Sequence, residues 1–193
     1  MTPTTNDIDW TQGIGKDVRR VLFEEGAIRT KVAELGRALT RDYAGKRPLL
    51  VGILNGCFPF MADLARSVNL DLEVDFMSVS SYGGDTHSSG VVRTLKDLNE
   101  SIEGRHVILV EDIIDTGLTA RYLLDNLRTR HPASVEICGL LDKREARTED
   151  VPVRYAGFEC PAEFVVGYGL DFEGLYRNLP FIGVLKPEVY KSP

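Results

Sequence analysis

The stretch Val107-Ile108-Leu109-Val110-Glu111-Asp112-Ile113-Ile114-Asp115-Thr116-Gly117-Leu118-Thr119 sets the tightest limit on how this chain can fold. Val107 to Val110 is an apolar run of strand length, two acids close it, and a polar loop with one glycine opens a helical pattern. In that pattern Leu123, Leu124 and Leu127 share one face, and Ser134 to Leu141 then returns as a second apolar strand. Strand, helix and strand in this order imply a crossover connection, hence a parallel pair and an α/β fold.

The flanking segments extend that architecture. Val18 to Phe23 reads as a short strand, and Ile28, Val32, Leu35 and Leu39 form a helical stripe ended by Gly45. Pro48 to Leu54 is a buried-type strand, Asn55-Gly56 a turn, and Phe60, Met61, Leu64 and Val68 a second helical pattern. Leu72 to Val79, Val91 to Leu95, Phe164 to Tyr168 and Phe181 to Val184 supply further strands. Residues 83–90 carry three glycines and no apolar side chain, so they cannot bury themselves and read as a flexible lid loop, about 81–93. No repeat and no linker divides the chain, and 193 residues suit a single domain over 1–193.

A net charge of -6 provides no broad basic surface, which argues against extended nucleic-acid binding. No window approaches the roughly 20 apolar residues of a membrane span, and the first ten residues lack the basic start and apolar run of a secretory signal. Cys57, Cys138 and Cys160 are far apart, without CxxC or Cys/His spacing, and read as reduced thiols. His87, His106 and His131 share no metal-like spacing either. The expected setting is cytoplasmic.

The end of a parallel strand is where open α/β sheets bind ligands. Consecutive amides from Asp115 to Thr119, with the Thr116 and Thr119 hydroxyls, suit a phosphate at the positive end of a helix, and Gly117 lets backbone come close. Carboxylates beside such a site can bind ribose hydroxyls and a magnesium ion. Asp115 or Thr116 could instead simply cap the helix. Capping does not explain why Glu111 and Asp112 end the strand.

This segment resembles the phosphoribosyl-pyrophosphate loop of type I phosphoribosyltransferases, and most closely their hypoxanthine-guanine branch. Ser81-Tyr82-Gly83 resembles the start of that family's closing loop, Lys143-Arg144 its purine-selecting lysine, and Gly157-Phe158-Glu159 with Phe164 to Asp171 its base pocket. Arg177 stands where the family binds pyrophosphate, and the likeness runs from about residue 18 to 190. The resemblance implies a mainly parallel twisted sheet flanked by helices, with a small hood and a lid.

It also implies an activity: magnesium-dependent transfer of a phosphoribosyl group from 5-phosphoribosyl 1-pyrophosphate to hypoxanthine or guanine. Asp115 would exchange the purine N7 proton. Glu111, Asp112, Ile113, Asp115, Thr116, Gly117, Leu118 and Thr119 would bind the phosphoribosyl group. The base would meet Ile113, Lys143, Phe164, Val165 and Asp171, and pyrophosphate would meet Leu54, Asn55, Gly56, Ser81, Tyr82 and Arg177. Asp171, with Glu111 and Asp112, would hold Mg2+, and the assembly would be a homodimer or homotetramer. Two positions depart from the family pattern, Asn55 and Leu118 each standing where other members carry lysine. The competing reading is a nucleotide-sensing regulator on the same fold, and a basic face or added DNA-binding domain would mark it.

Overall fold

The computed structural model describes Trp10, residues 12–81 and residues 92–190. Tyr82 and most of the expected lid loop lie outside the described residues. Strand β1 (Val18–Phe23) precedes helix α1 (Glu25–Asp42), strand β2 (Leu49–Leu54), helix α2 (Phe58–Ser67), and strands β3 (Glu73–Ser81) and β4 (Val92–Lys96). Then come β5 (His106–Ile114), α3 (Leu118–Arg128), β6 (Ser134–Asp142), β7 (Tyr155–Glu159), β8 (Val165–Val166), β9 (Ile182–Leu185) and the short α4 (Pro187–Tyr190).

Among the described residues, six strands form one sheet in the order β4-β3-β2-β5-β6-β7. All its pairs are parallel except β3 with β4 at one edge. Helices on both faces explain why β2 and β5 are apolar without alternation, since a strand covered on both sides buries every side chain. Leu50, Ile108 and Val110 pack against Ile28 and Leu39 of α1 and Phe60 and Leu64 of α2. Val51, Val107 and Leu109 pack on the other face, with Leu123, Leu124 and Leu127 of α3. Leu123 is wholly buried, so cutting it to alanine would cost about 2–5 kcal/mol. Helices α1 and α2 touch closely at Gly36, where a Cβ would lie 2.4 Å from the Ser67 carbonyl oxygen.

A second, antiparallel sheet in the order β1-β9-β8 forms the small hood. Its inner side joins Val166, Leu179, Phe181 and Leu185 into a separate apolar cluster.

Two expectations need correction. Strand β5 does not end at the acids: it continues to Ile114, because β6 runs alongside it as far as Asp142. The strand expected over Phe164 to Tyr168 shrinks to two residues, since Gly167 (φ +99°), Tyr168 (φ +48°) and Gly169 (φ +100°) turn the chain into left-handed backbone. Gly157-Phe158-Glu159, the segment similar to the family's base pocket, lies in β7, with Phe158 stacked on Phe23 at 4.2 Å.

Candidate active site

The C-terminal ends of β2, β5 and β6 converge at one edge of the main sheet, and the turns after them carry most of the polar residues singled out above. Strand β2 runs into the turn Leu54-Asn55-Gly56, whose Leu54–Asn55 peptide is cis. The carboxylate of Asp112 occupies the space a side chain at Gly56 would need: a Cβ there would lie 1.8 Å from Asp112 Oδ2. Gly169 presses on the same turn from the hood side, with its Cβ position 2.0 Å from the Gly56 carbonyl oxygen. Arg177 binds this junction by donating from Nη1 to the Gly169 carbonyl at 2.6 Å and pairing through Nη2 with Asp171 at 2.7 Å. The other Asp171 oxygen accepts from the Gly174 amide at 2.7 Å. Thus Gly56, Asp112, Asp171 and Arg177 form one cluster although they come from three distant segments.

The two strand acids differ in outlook, because successive side chains of a strand point to opposite faces. Glu111 lines a cavity of about 150 Å³ with Ile113, Asp115, Thr116, Gly117 and Thr119. Asp112 faces Gly56 instead. Burial, reinforced by Asp112, holds the Glu111 carboxyl well above the usual range. Burial also lifts Asp112, to about 6, against the opposing pull of the Ile113 amide, which donates to its Oδ1 at 3.0 Å. Cys57 lies close to both acids, and burial followed by their charge pushes its thiol up to about 12, which leaves it unreactive. All three cysteines are free and buried.

Helix α3 has Gly117 (φ +88°) as its N-cap, a residue with no side chain to make a capping bond. Asp115 Oδ2 accepts from Lys143, while Thr116 Oγ1 accepts a long 3.4 Å bond from the Leu118 amide, the first of the helix. A side chain at position 117 would be strained by its φ and would meet Glu149 and Val151 at 3.1–3.2 Å. The loop thus leaves its positive helix end open to an anion.

Beside it, Lys143 Nζ lies 3.2 Å from Asp115 Oδ2, with the lysine side chain 11% exposed and the aspartate 51%. The Lys143 amide donates to the Ile114 carbonyl at 3.0 Å, so the end of β6 is tied to the end of β5. An acceptor and a cationic donor sit here side by side, open on one flank.

The remaining base-pocket residues belong to the hood. Val165 pairs with Val184, and among the described residues its strand β8 lies at the edge of the hood sheet, with no strand on the other side. Phe164 stacks on Tyr190 at 4.8 Å and meets Phe172 edge-on at 5.7 Å. Ser81 ends β3, and Tyr82 lies outside the described residues.

Sequence reasoning gave no role to Asp142, Arg147 and Thr148, whose partners lie elsewhere in the fold. Asp142 is only 4% exposed. Its one legible signal was its place at the end of a buried-type strand.

A family model described as a phosphoribosyl transferase domain matches residues 22–173, which defines the class. The chain is 53% identical to a hypoxanthine-guanine phosphoribosyltransferase of Streptococcus thermophilus over 92% of its length and 98% of that protein's. It is 50% identical to the bifunctional protein TilS/HprT of Listeria monocytogenes over 97% of its own length, but spans only 29% of that longer relative. A crystal structure of a Staphylococcus aureus hypoxanthine phosphoribosyltransferase superposes with a TM-score of 0.89 at 48% identity, covering 92% of this chain and 96% of that one. The chain belongs to the hypoxanthine-guanine phosphoribosyltransferase family.

Proposed function

We propose that this protein transfers the phosphoribosyl group of 5-phosphoribosyl 1-pyrophosphate to hypoxanthine or guanine, releasing pyrophosphate and IMP or GMP. The observation that carries this reading is the Lys143–Asp115 pair at 3.2 Å beside an open helix N-terminus. A 6-oxopurine presents O6, an acceptor, next to N7–H, a donor, and the two side chains match that edge with opposite polarity. Adenine offers an amino group in place of O6 and leaves the lysine unmatched.

In this reading the amides at Thr116 to Thr119 grip the 5′-phosphate, and Glu111 and Asp112 accept the ribose hydroxyls. Purine N9 attacks C1 of the ribose, the C1–oxygen bond to pyrophosphate breaks, and Asp115 takes the N7 proton. Positive charge spreads over the ribose ring in the transition state, where buried carboxylates stabilise it strongly. Arg177 offers its fork to pyrophosphate, and Ile113, Phe164 and the free edge of Val165 frame the base.

No three His, Cys, Asp or Glu side chains converge into a metal cage among the described residues. A magnesium ion needs no such cage, and the all-oxygen donors Asp171 and Asp112 fit its habit of taking one or two carboxylates plus waters and phosphate oxygens. Bound there, it would neutralise charge on pyrophosphate; Glu111, turned toward the phosphate cavity, is the less suited of the expected ligands. No helix among the described residues is long and apolar enough to cross a membrane, in keeping with the cytoplasmic setting we propose. A homodimer or homotetramer is the proposed assembly, with the exposed apolar side chains of Phe58, Val74 and Leu95 available for contacts.

The test is turnover by the purified protein with magnesium, 5-phosphoribosyl 1-pyrophosphate and, in separate reactions, hypoxanthine, guanine, xanthine, adenine and uracil. Activity with hypoxanthine or guanine and none with adenine or uracil is expected. Absence of turnover with every 6-oxopurine would sink the proposal.

A further inference from the structure

Behind Lys143 the chain makes a loop whose construction the transfer chemistry alone does not require. Asp142, the last residue of β6, is buried, and its two oxygens accept from Arg147 Nη2 at 2.6 Å and Arg144 Nε at 3.1 Å. The two arginines are not equivalent: the Arg144 side chain is 68% exposed and that of Arg147 15%. Arg147 also donates from Nη1 to the Val151 carbonyl at 3.0 Å. One buried guanidinium therefore joins the start of the segment to its end and closes residues 142–151 into a loop.

The closed loop grips the phosphate loop from below. The amides of Thr148 and Glu149 donate to the Thr116 carbonyl at 2.9 and 3.1 Å, and the Thr148 hydroxyl reaches the same oxygen at 3.3 Å. Glu149 and Val151 pack against Gly117 where a side chain would otherwise stand, and Arg121 of α3 donates to the Asp150 carbonyl. At its other end the loop begins with Lys143, whose amide is held by Ile114 and whose ammonium meets Asp115. One short piece of chain thus touches both ends of 114–117.

We infer that Arg147 is a positioning residue. By closing the loop it sets the distance between the amide cradle at Thr116 to Thr119 and the purine-side Lys143, so that the two ends of a bound nucleotide are held in one fixed geometry. The inference rests on the proposed phosphoribosyl-transfer function. Loss of the guanidinium frees Thr148 and Glu149 and loosens Asp142 next to Lys143, and misplacement of either substrate by a fraction of an ångström is costly to reaction. An arginine that served stability alone would lower the melting temperature or the active fraction and leave the Michaelis constants of the folded enzyme unchanged.

The experiment compares wild type, Arg147→Met, Arg147→Lys and Thr148→Ala by thermal melting, steady-state kinetics and calorimetric binding of IMP. In Arg147→Met, KM for hypoxanthine and for 5-phosphoribosyl 1-pyrophosphate should both rise at least ~5-fold, and the IMP Kd at least ~10-fold. Arg147→Lys keeps the charge and one bond to Asp142 but cannot also reach Val151, so it should fall between these values and wild type. It carries the test if Arg147→Met does not fold. Thr148→Ala touches the phosphate end only and should raise KM for the pyrophosphate substrate ~2-fold without changing that for hypoxanthine. Wild-type constants in cooperatively melting Arg147 variants would overturn the positioning role while leaving the transfer function intact. A wild-type protein that neither turns over a 6-oxopurine nor binds IMP would overturn the function, and the positioning role with it.

Discussion

Two neighbouring strands carry acids at or near their C-terminal ends, and they are treated in opposite ways. At the end of β6 the Asp142 carboxylate has cationic partners on both oxygens. Near the end of β5, Glu111 is as deeply buried and Asp112 is half-buried; among the described residues neither forms a salt bridge, and burial raises the pKa of each. A satisfied buried acid holds backbone in place; an unsatisfied one retains free energy of interaction for something that arrives later. Ribose hydroxyls and a divalent cation are what the proposed function would bring to β5. Nothing comparable needs to reach Asp142.

That contrast can be broken in four ways, taken from the largest effect to the smallest. Asp142→Ala would leave the Arg147 guanidinium buried without its partner and should destabilise the fold by about 3–5 kcal/mol, read by chemical denaturation. A loss below 1 kcal/mol would mean that the pair is no anchor. Asp115→Asn removes the proton acceptor without emptying space and should lower kcat by at least ~10²-fold, while leaving denaturation almost unchanged. Near-normal turnover would remove Asp115 from the chemistry.

Asp112→Asn should act in the opposite sense to Asp142→Ala. The folded-state pKa of Asp112 is raised to about 6 from an ordinary value of 3.8, so the folded protein binds this proton more tightly than the unfolded chain does. Stability is then lost as pH climbs from near 4 to near 6, and the loss is complete at neutral pH. Replacing the acid by its neutral amide should therefore stabilise the protein by on the order of 2 kcal/mol at pH 7, lower its activity, and show little difference from wild type at pH 4. An equal melting temperature for the two proteins at pH 7 would show that Asp112 is not held in an unfavourable charged state. Gly117→Ala tests the backbone side of the site: strain at φ +88° and contact with Glu149 should cost about 1–2 kcal/mol, with a rise in KM confined to the phosphoribosyl substrate.

Legibility in the sequence followed the range of the interactions involved. The stripe Ile28, Val32, Leu35 and Leu39 became the buried face of α1, and the apolar run at Leu49 to Leu54 became a strand covered on both sides, because both patterns repeat at the period of their own element. The phosphate loop was readable for the same reason, since strand, glycine and helix follow one another within a few residues. The end of β5 was misjudged because the pairing that continues it through the acids comes from β6, and chain polarity gives no sign of a neighbour's length. Left-handed backbone at Tyr168 cut short a strand that its apolar residues favour.

By itself the sequence determined the α/β alternation, the glycine at the mouth of α3 and the family to which the chain belongs. These rest on local period, on backbone freedom at single positions, and on an ordered set of motifs along one chain. Only the tertiary structure decided that Glu111 and Asp112 look to different sides, that Asp112 fills the space above Gly56, and that Lys143 stands against Asp115. It alone joined Asp142 to Arg147 in a buried clasp. Those relations join residues far apart in sequence, and a charge or an amide acquires its energetic meaning only when burial and its partners are known.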